Sequence, residues 1–539
     1  MKWFPLCNYT HYSLQTGFSK PKELAEKCAM NSYMACGIAD YKSLSGAVSF
    51  YQHCDKLNIK PIIGCAFDDF TLFAKNLEGW RDLIKIVSSK KDDGTFPSNY
   101  ISKIASKGNL ISVGEDESLS PVIGNDFYQK TPAFRDSYYA EPDHARLHRV
   151  LLSGKFKTTV SALKDKCPNT FYKFERDEWY LKNSSEISKV LVDDPKMDLF
   201  GEIYNKCENY TVLSPPMLPK FQTPNGETEQ EYLMTLARQG WADILDKKIT
   251  DPDLRKVYGD RIKAEMKVIE DANLFGYFLI VWDIIRWCVN QGWMVGAGRG
   301  SAAGCLVSYL VGITQVDPIE FDLLFERFYN SGRNTDDHVS LPDIDIDVPC
   351  EKRDDIIAHV KSKYGHEYVS QMLTFGRLQG RSAIKEVFRA YEVCSFGEMN
   401  HITQFIPDEA AISDDLNAMD EEERSIIRWA LQNNADDLID YCFINNNGEL
   451  EGQYADFFQQ AIDMEGTFKS QGKHAAGVVI SAEPLHECCP MVSQRSGGEK
   501  IAGLEMNDLE ALGHVKFDIL GINLLDKLMM VKELVNGKH

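Results

Sequence analysis

Long apolar runs are missing from this chain. No stretch reaches the ~18 residues needed to span a bilayer. The opening MKWFPLCNYT has no basic region followed by an apolar segment, so neither a membrane span nor a secretion signal is expected. Paired cysteines are missing too. The fourteen cysteines include no C-x-x-C, and the one close pair, Cys488 and Cys489, is adjacent, which suits neither a disulfide framework nor a zinc site. Reduced, mostly buried thiols in a cytoplasmic protein are the expectation. Positive charge is scarce: 59 Lys and Arg stand against 80 Asp and Glu, a formal net charge of -21. That excludes a chain that simply coats nucleic acid, since phosphate binding calls for Lys and Arg, but leaves room for a local basic groove. Internal repeats and low-complexity linkers are absent as well.

What is present is a large soluble-type composition: 539 residues, 44% hydrophobic and 26% charged. This is about twice the length at which single cores stop growing, so two to four domains are expected. Residues 20–60 alternate helix and strand: KPKELAEKCAMNS and SGAVSFYQHCDKLN read as helices, MACGIAD and KPIIGCAF as buried strands. Such βαβα grammar predicts an α/β first domain. It should end near SPPMLPKFQTPNG, residues 214–226, where four prolines interrupt the periodicity. Helical pattern follows to about Asn290. WMVGAGRGSAAGCLVSYLVG then reads as strand, glycine-rich turn and helix, and residues 385–470 are mostly helical. Further strands are expected at AAGVVISA and at HVKFDIL, residues 514–520, before a final helix.

Two segments look chemical. In GAGRGSAAG, Gly296 to Gly304, small residues opening a helix would turn backbone N–H groups outward, and Arg299 would add a bidentate donor, a phosphate-binding arrangement. A structural tight turn is the competing explanation. In LPDIDIDV, residues 341–348, alternation on a strand puts Asp343, Asp345 and Asp347 on one face and the isoleucines on the other. Carboxylates roughly 7 Å apart along one strand face can grip divalent cations such as Mg²⁺. A charged edge strand is the alternative. HVKFDIL adds Asp518 and, two residues earlier on the same face, Lys516. If that strand lay beside residues 341–348, three carboxylates and a phosphate-seeking cation would meet, as a nucleotidyl-transfer site requires.

In order, GYFLIVWDIIRWCVNQGWMVGAGRGSAAGCLVSYLVGITQVDPIEFDLLFERF, LPDIDIDVPCEKRDDIIAHVKSKYG, QMLTFGRLQGRSAIKEVFR, GKHAAGVVIS and HVKFDILGINLLDKL resemble the palm of the catalytic alpha subunit of bacterial replicative DNA polymerase III, the C family. YSLQTG, KPIIGCAF and FTLFAKNLEGWRDL resemble that subunit's PHP (polymerase and histidinol phosphatase) domain. The resemblance covers essentially the whole chain. It implies a PHP-like α/β barrel over residues 1–215 and a mixed α+β nucleotidyltransferase palm over 216–384 and 471–539, with a helical thumb insertion at 385–470. Asp343, Asp345 and Asp518 match the catalytic, metal-holding aspartates, whereas Asp347 matches one outside the essential set. Gly300 and Ser301 match the pair that contacts the incoming triphosphate, with Lys516 and Arg299 in the same neighbourhood. Two Mg²⁺ ions, primer–template DNA and dNTPs are the implied cofactors and substrates. Arg327, Arg377 and Arg381 lie in matching palm stretches and rank below the aspartates. His474 and His514 flank the palm motifs and are expected to be packing residues.

The sequence departs from the family in two places. Where metal-binding PHP domains carry histidines and carboxylates, this chain has Cys7, Tyr9, Tyr41, Thr16 and Ala66. Asp40 alone remains as a ligand type, and His11 is out of register. A scaffold without phosphoesterase or proofreading activity is therefore expected. The family also continues beyond Asp518 into fingers, DNA-binding and clamp-binding parts, whereas this sequence ends at Lys538 and His539. The expected function is a DNA polymerase catalytic fragment, in bacterial or phage-infected cytoplasm, whose second chain supplies fingers, DNA-binding domains and any sliding-clamp contact. A truncated piece or a degenerate remnant is the other explanation. A non-catalytic protein binding primer termini or a replisome partner is the alternative function, and a phosphoesterase in the first domain the third.

Overall fold

The computed structural model describes residues 3–115, 119–190, 198–330, 332, 341–420, 423–494 and 497–537. The terminal Lys538 and His539 lie outside them. The chain forms two compact units, Met1–Val212 with Thr374–Gly472, and Leu213–Leu373 with Lys473–His539.

The first unit is built on a five-stranded sheet: β1 (Ala35–Tyr41), β2 (Lys60–Ala66), β3 (Phe70–Ala74), β4 (Leu110–Gly114) and β5 (Phe127–Gln129), in that order. β1 and β2 are parallel, joined by the amphipathic helix Ala47–Lys56, as the βαβ pattern of residues 20–60 predicts. The pairs β2–β3 and β3–β4 are antiparallel, and β4–β5 is parallel. The expected barrel does not close among the described residues. The short strand Cys7–Asn8 pairs with Asp136–Ser137 in a separate two-stranded ladder. Beside β1, Gly37 N donates to Pro5 O (2.8 Å), and Asn8 Nδ2 donates to Gly37 O (2.8 Å) and Cys36 Sγ (3.8 Å).

The predicted helical stretch is present as Arg381–Tyr391, Phe396–Gln404, Ser413–Ala418, Ile426–Asn433 and Ala455–Asp463, with shorter turns between. Its first helix packs on Ala145–Lys155 of the same unit. Val160 N donates to Ala390 O (2.8 Å) and Arg389 Nη1 to Thr158 O (3.2 Å). His11 stacks on Phe468 at 4.0 Å, which gives the out-of-register histidine an apolar, buried place.

The second unit centres on the helix Phe275–Asn290. A helix apolar on nearly all sides has to be buried all round, and Phe278, Leu279, Ile280, Val281 and Ile284 are fully so. It covers a six-stranded mixed sheet made of β6 (Asp345–Pro349), β7 (Val369–Arg377), β8 (Phe468–Ile480), β9 (Met491–Val492), β10 (Ile501–Ala502) and β11 (Val515–Ile522). The order is β9-β10-β7-β8-β11-β6. Residues 374–377 of β7 and 468–472 of β8 belong to the first unit. The strand expected at Trp293–Val295 does not form. Instead an extended segment leads to a 3-10 turn, Gly300–Gly304, and then to the short helix Leu306–Val311. Two glycines cause this, Gly298 at φ +120° and Gly300 at φ +71°, conformations that interrupt a strand.

Candidate active site

Register decides what β6 and β11 can do together. The two strands are parallel, and Asp518 stands opposite Asp345, with Ile519 opposite Ile346 and Leu520 opposite Asp347. Ile344, Ile346 and Val348 are buried against the core, so the alternation turns Asp343, Asp345 and Asp347 to the other face. β11 repeats the pattern: Phe517 and Ile519 are buried, and Phe517 stacks on Tyr277 at 5.3 Å. The Tyr277 hydroxyl accepts from Ile344 N (3.1 Å), fixing the backbone between Asp343 and Asp345. Arg353 ties β11 to β8, with Nε donating to Ile519 O (2.7 Å) and Nη2 to Ala476 O (3.3 Å).

Two cations sit among the carboxylates. Lys516 Nζ lies 2.7 Å from Asp518 Oδ2 and 4.0 Å from Asp343 Oδ2. Arg299 Nη2 lies 3.0 Å from Asp345 Oδ1 and 3.1 Å from Asp347 Oδ1. The glycine-rich turn therefore lands on the aspartate strand, where Gly296 N donates to Asp347 O (2.9 Å). A Cβ on Gly300 would stand 2.8 Å from Asp345 Oδ2, so only glycine lets the turn come this close. Ser301 follows within the 3-10 turn, half-buried. The turn is held from below by Glu265, which sequence alone does not mark. Its buried carboxylate accepts from Leu306 N (3.0 Å) and Val307 N (2.9 Å) and pairs with Arg261 (2.6 Å). A glutamate in an amphipathic helix carries no signal of this role.

Burial pushes the Asp343 and Asp345 carboxyls above the ordinary carboxylate range; Asp518 adds to this, while Lys516 opposes it at Asp343 and Arg299 opposes it at both. At Lys516, burial pulls the amine down, but the hydrogen bond to Asp518 and the fields of Asp518 and Asp343 outweigh it and the net shift is upward. Among the described residues, no three His, Cys, Asp or Glu side chains stand as one ligand group for a metal. The oxygen chemistry of the cluster nonetheless fits a divalent cation. Asp518 Oδ1 is buried without any hydrogen-bond partner, on the face where Asp343 and Asp345 gather.

The other sequence-marked residues are placed differently. Arg377 lies over the Phe468 ring at 5.3 Å, and Arg381 Nε donates to Ile406 O (2.5 Å), both within the first unit. Arg327 ends a 3-10 turn, Phe325–Arg327. His474 Nδ1 accepts from Gly477 N (2.8 Å) within β8. His514 is buried, and that burial pulls its pKa down to about 4. In the first unit Asp40 is fully buried and accepts from Thr10 N (2.7 Å), Thr10 Oγ1 (2.7 Å) and Ser13 Oγ (2.6 Å), so its oxygens already serve the fold.

Residues 231–521 match the family described as the bacterial DNA polymerase III alpha NTPase domain, which is more than half of the chain. The chain belongs to this family. Residues 6–120 match the PHP domain. Among curated relatives, "DNA polymerase III subunit alpha" of Buchnera aphidicola subsp. Acyrthosiphon pisum is 31% identical over 100% of this chain and 49% of its own length. The proteins of that name from Pseudomonas aeruginosa and Borreliella burgdorferi are each 29% identical over 98% of this chain, and over 48% and 49% of theirs. The chain thus spans about half the length of the curated relatives it matches. A solved structure, a putative metal-dependent phosphoesterase from Bifidobacterium adolescentis, is 12% identical over 39% of this chain and 77% of that one, with a TM-score of 0.15 that carries no argument about the fold. No helix among the described residues is long and apolar enough to cross a membrane.

Proposed function

We propose that this chain carries the nucleotidyl-transfer centre of a template-directed DNA polymerase, adding dNMP to a primer 3′-hydroxyl. The observation that supports it is the parallel register of β6 and β11, which sets Asp518 opposite Asp345 beside Asp343 and Lys516. In this proposal Asp343, Asp345 and Asp518 would hold two Mg²⁺ ions, which supply charge neutralisation at the α-phosphate and a lowered pKa for the attacking hydroxyl. The chain's own groups do the rest. In the turn Gly300 carries no Cβ, and Ser301 beside it offers a hydroxyl to a triphosphate. Arg299 exchanges its carboxylate partners for phosphate oxygens, a strong charge-assisted contact. Lys516, paired with Asp518, faces the developing negative charge.

The PHP-like first domain serves as a scaffold, the helical segment as a thumb, and a second polypeptide matching the other half of the relatives' length supplies fingers and DNA-binding parts. Support for that second chain comes from the final helix, Asn523–Val535, where Leu524, Leu528, Val531 and Val535 form an exposed stripe, Val535 being 80% exposed. The test is primer extension by this chain co-expressed with a polypeptide matching the carboxy-terminal half of its relatives. Asp343→Ala and Asp345→Ala serve as controls and are each expected to cut the rate by about 10²–10³-fold. Extension that survives both substitutions, or none at all from the pair, overturns the proposal. In the second case primer-terminus binding without synthesis becomes the better account.

A further inference from the structure

One aspartate of β6 has no place in the proposed cation site. Asp345 stands opposite Asp518, but two residues on, roughly 7 Å along the strand, Asp347 stands opposite Leu520. Register therefore sets it apart from the carboxylates that would share an ion. Its side chain is closely engaged all the same. Arg299 Nε lies 3.3 and 3.2 Å from its two oxygens, and Nη2 lies 3.1 Å from Oδ1. The same Nη2 reaches Asp345 Oδ1 at 3.0 Å. Arg299 thus gives Asp347 a fork of two nitrogens and Asp345 a single nitrogen that is already shared. The forked contact is the stronger one, so the contact to Asp345 is the one that breaks at least cost. The backbone of the glycine-rich turn is tied to the same residue. Gly296 N donates to Asp347 O (2.9 Å), and a Cβ on Gly296 would stand 2.7 Å from Asp347 Cβ. Asp347 therefore holds the segment Gly296–Arg299 at both ends.

Arg299 and a divalent cation make rival claims on Asp345, since two positive groups on one carboxylate repel each other. We propose that Asp347 is a positioning residue that acts through Arg299: it retains the guanidinium when Asp345 turns to a cation, so that Arg299 neither competes for Asp345 nor swings away from the site. The inference rests on the reading of Asp343, Asp345 and Asp518 as cation ligands. It gives the exchange of partners at Arg299 an order. Asp345 is given up first, and Asp347 only when phosphate oxygens replace it. Without Asp347 the guanidinium has Asp345 left as its carboxylate, and the residue that serves the incoming nucleotide becomes an obstacle to the ion. The third aspartate in register then has a use that does not require it to touch the ion.

Binding of Mn²⁺ to the full chain, read from the electron paramagnetic resonance signal of the free ion, tests this without any synthesis. Asp343→Ala marks which part of the binding belongs to the site. Asp347→Asn is expected to weaken that part about tenfold in the natural background, but by no more than about twofold beside Arg299→Met, where the competing guanidinium is gone. Arg299→Met alone should tighten it. Asp347→Glu, which keeps a carboxylate for the fork, should return affinity to within about threefold of the natural chain. Thermal melting of each variant shows that the fold is kept. A role of Asp347 through its field alone, or through the stability of β6, would act equally in both backgrounds. Equal weakening in the two, or none in either, therefore overturns this inference and leaves the cation reading standing. Absence of any Mn²⁺ binding that Asp343→Ala removes overturns the cation reading, and this inference with it.

Discussion

At the scale of single residues, the candidate centre depends on what is small as much as on what is charged. Gly300 adopts φ +71° with its missing Cβ 2.8 Å from Asp345 Oδ2. Gly300→Ala meets two penalties, roughly 1–2 kcal/mol for a left-handed conformation and displacement of the Asp345 carboxylate. Extension by the assembled enzyme is expected to fall about 10²-fold, the usual consequence of a misplacement near 1 Å, while melting moves by only a few degrees. Single-turnover rates beside a melting curve check this, and a rate within threefold of the natural enzyme would contradict the role given to the turn. The aspartates were legible in sequence because strand alternation is a strict rule of period two. The sequence singled out Arg299 as a candidate phosphate donor, but its pairing with Asp347 across 48 residues was not legible, because tertiary structure decides it. Glu265 was not legible at all, since burial of a carboxylate depends on which helix face meets which loop.

At the scale of elements, local rules worked where a segment's own pattern decides its state. β1, β2 and the helix between them follow from periodicity, as does the largely buried helix Phe275–Asn290. They failed at Trp293–Val295, where an apolar triplet suggests a strand but the glycines after it turn the chain away. They also failed at barrel closure, which depends on whether Cys7–Asn8 finds a full ladder along β1. Glu265 makes the strongest prediction here. It is fully buried, accepts both Leu306 N and Val307 N, and is paired with Arg261. Glu265→Ala removes a cap and leaves the guanidinium without its carboxylate, which should cost about 3–5 kcal/mol. Glu265→Gln keeps one acceptor oxygen and should cost less. Urea midpoints for the two variants check the order, and an alanine variant as stable as the glutamine one would count against the cap.

At the scale of the whole molecule, acidity and an unfinished apolar surface govern behaviour. With a net charge of -21, acidification relieves self-repulsion throughout the chain, and one buried group adds a separate term. Asp508 is pushed up from 3.8 to about 7, mainly by burial and further by Glu505. Well below pH 4 both folded and unfolded chains hold this proton, and the full contribution is present. Between about pH 4 and 7 the unfolded chain releases the proton and the folded chain keeps it, so stability falls as pH rises, by an amount on the order of 4 kcal/mol. Asp508→Asn should abolish that term, gaining stability over the natural chain at pH 7.5 and little at pH 4. Urea unfolding at both pH values reads the difference, and parallel profiles would refute the assignment. The apolar surface leads to the last prediction. The stripe Leu524, Leu528, Val531 and Val535 stays in water on a helix that buries only Leu525. Burying a leucine or valine is worth about 1.5–3 kcal/mol, so a partner covering this stripe gains much of its affinity there. Leu528→Lys with Val531→Lys should therefore weaken association with the co-expressed carboxy-terminal half at least about 10²-fold, while leaving melting of the isolated chain unchanged because both residues are exposed in it. Sedimentation of the mixed chains at graded concentration measures the loss. Equal affinity with and without the lysines would place the partner's contact elsewhere and leave the stripe without a function.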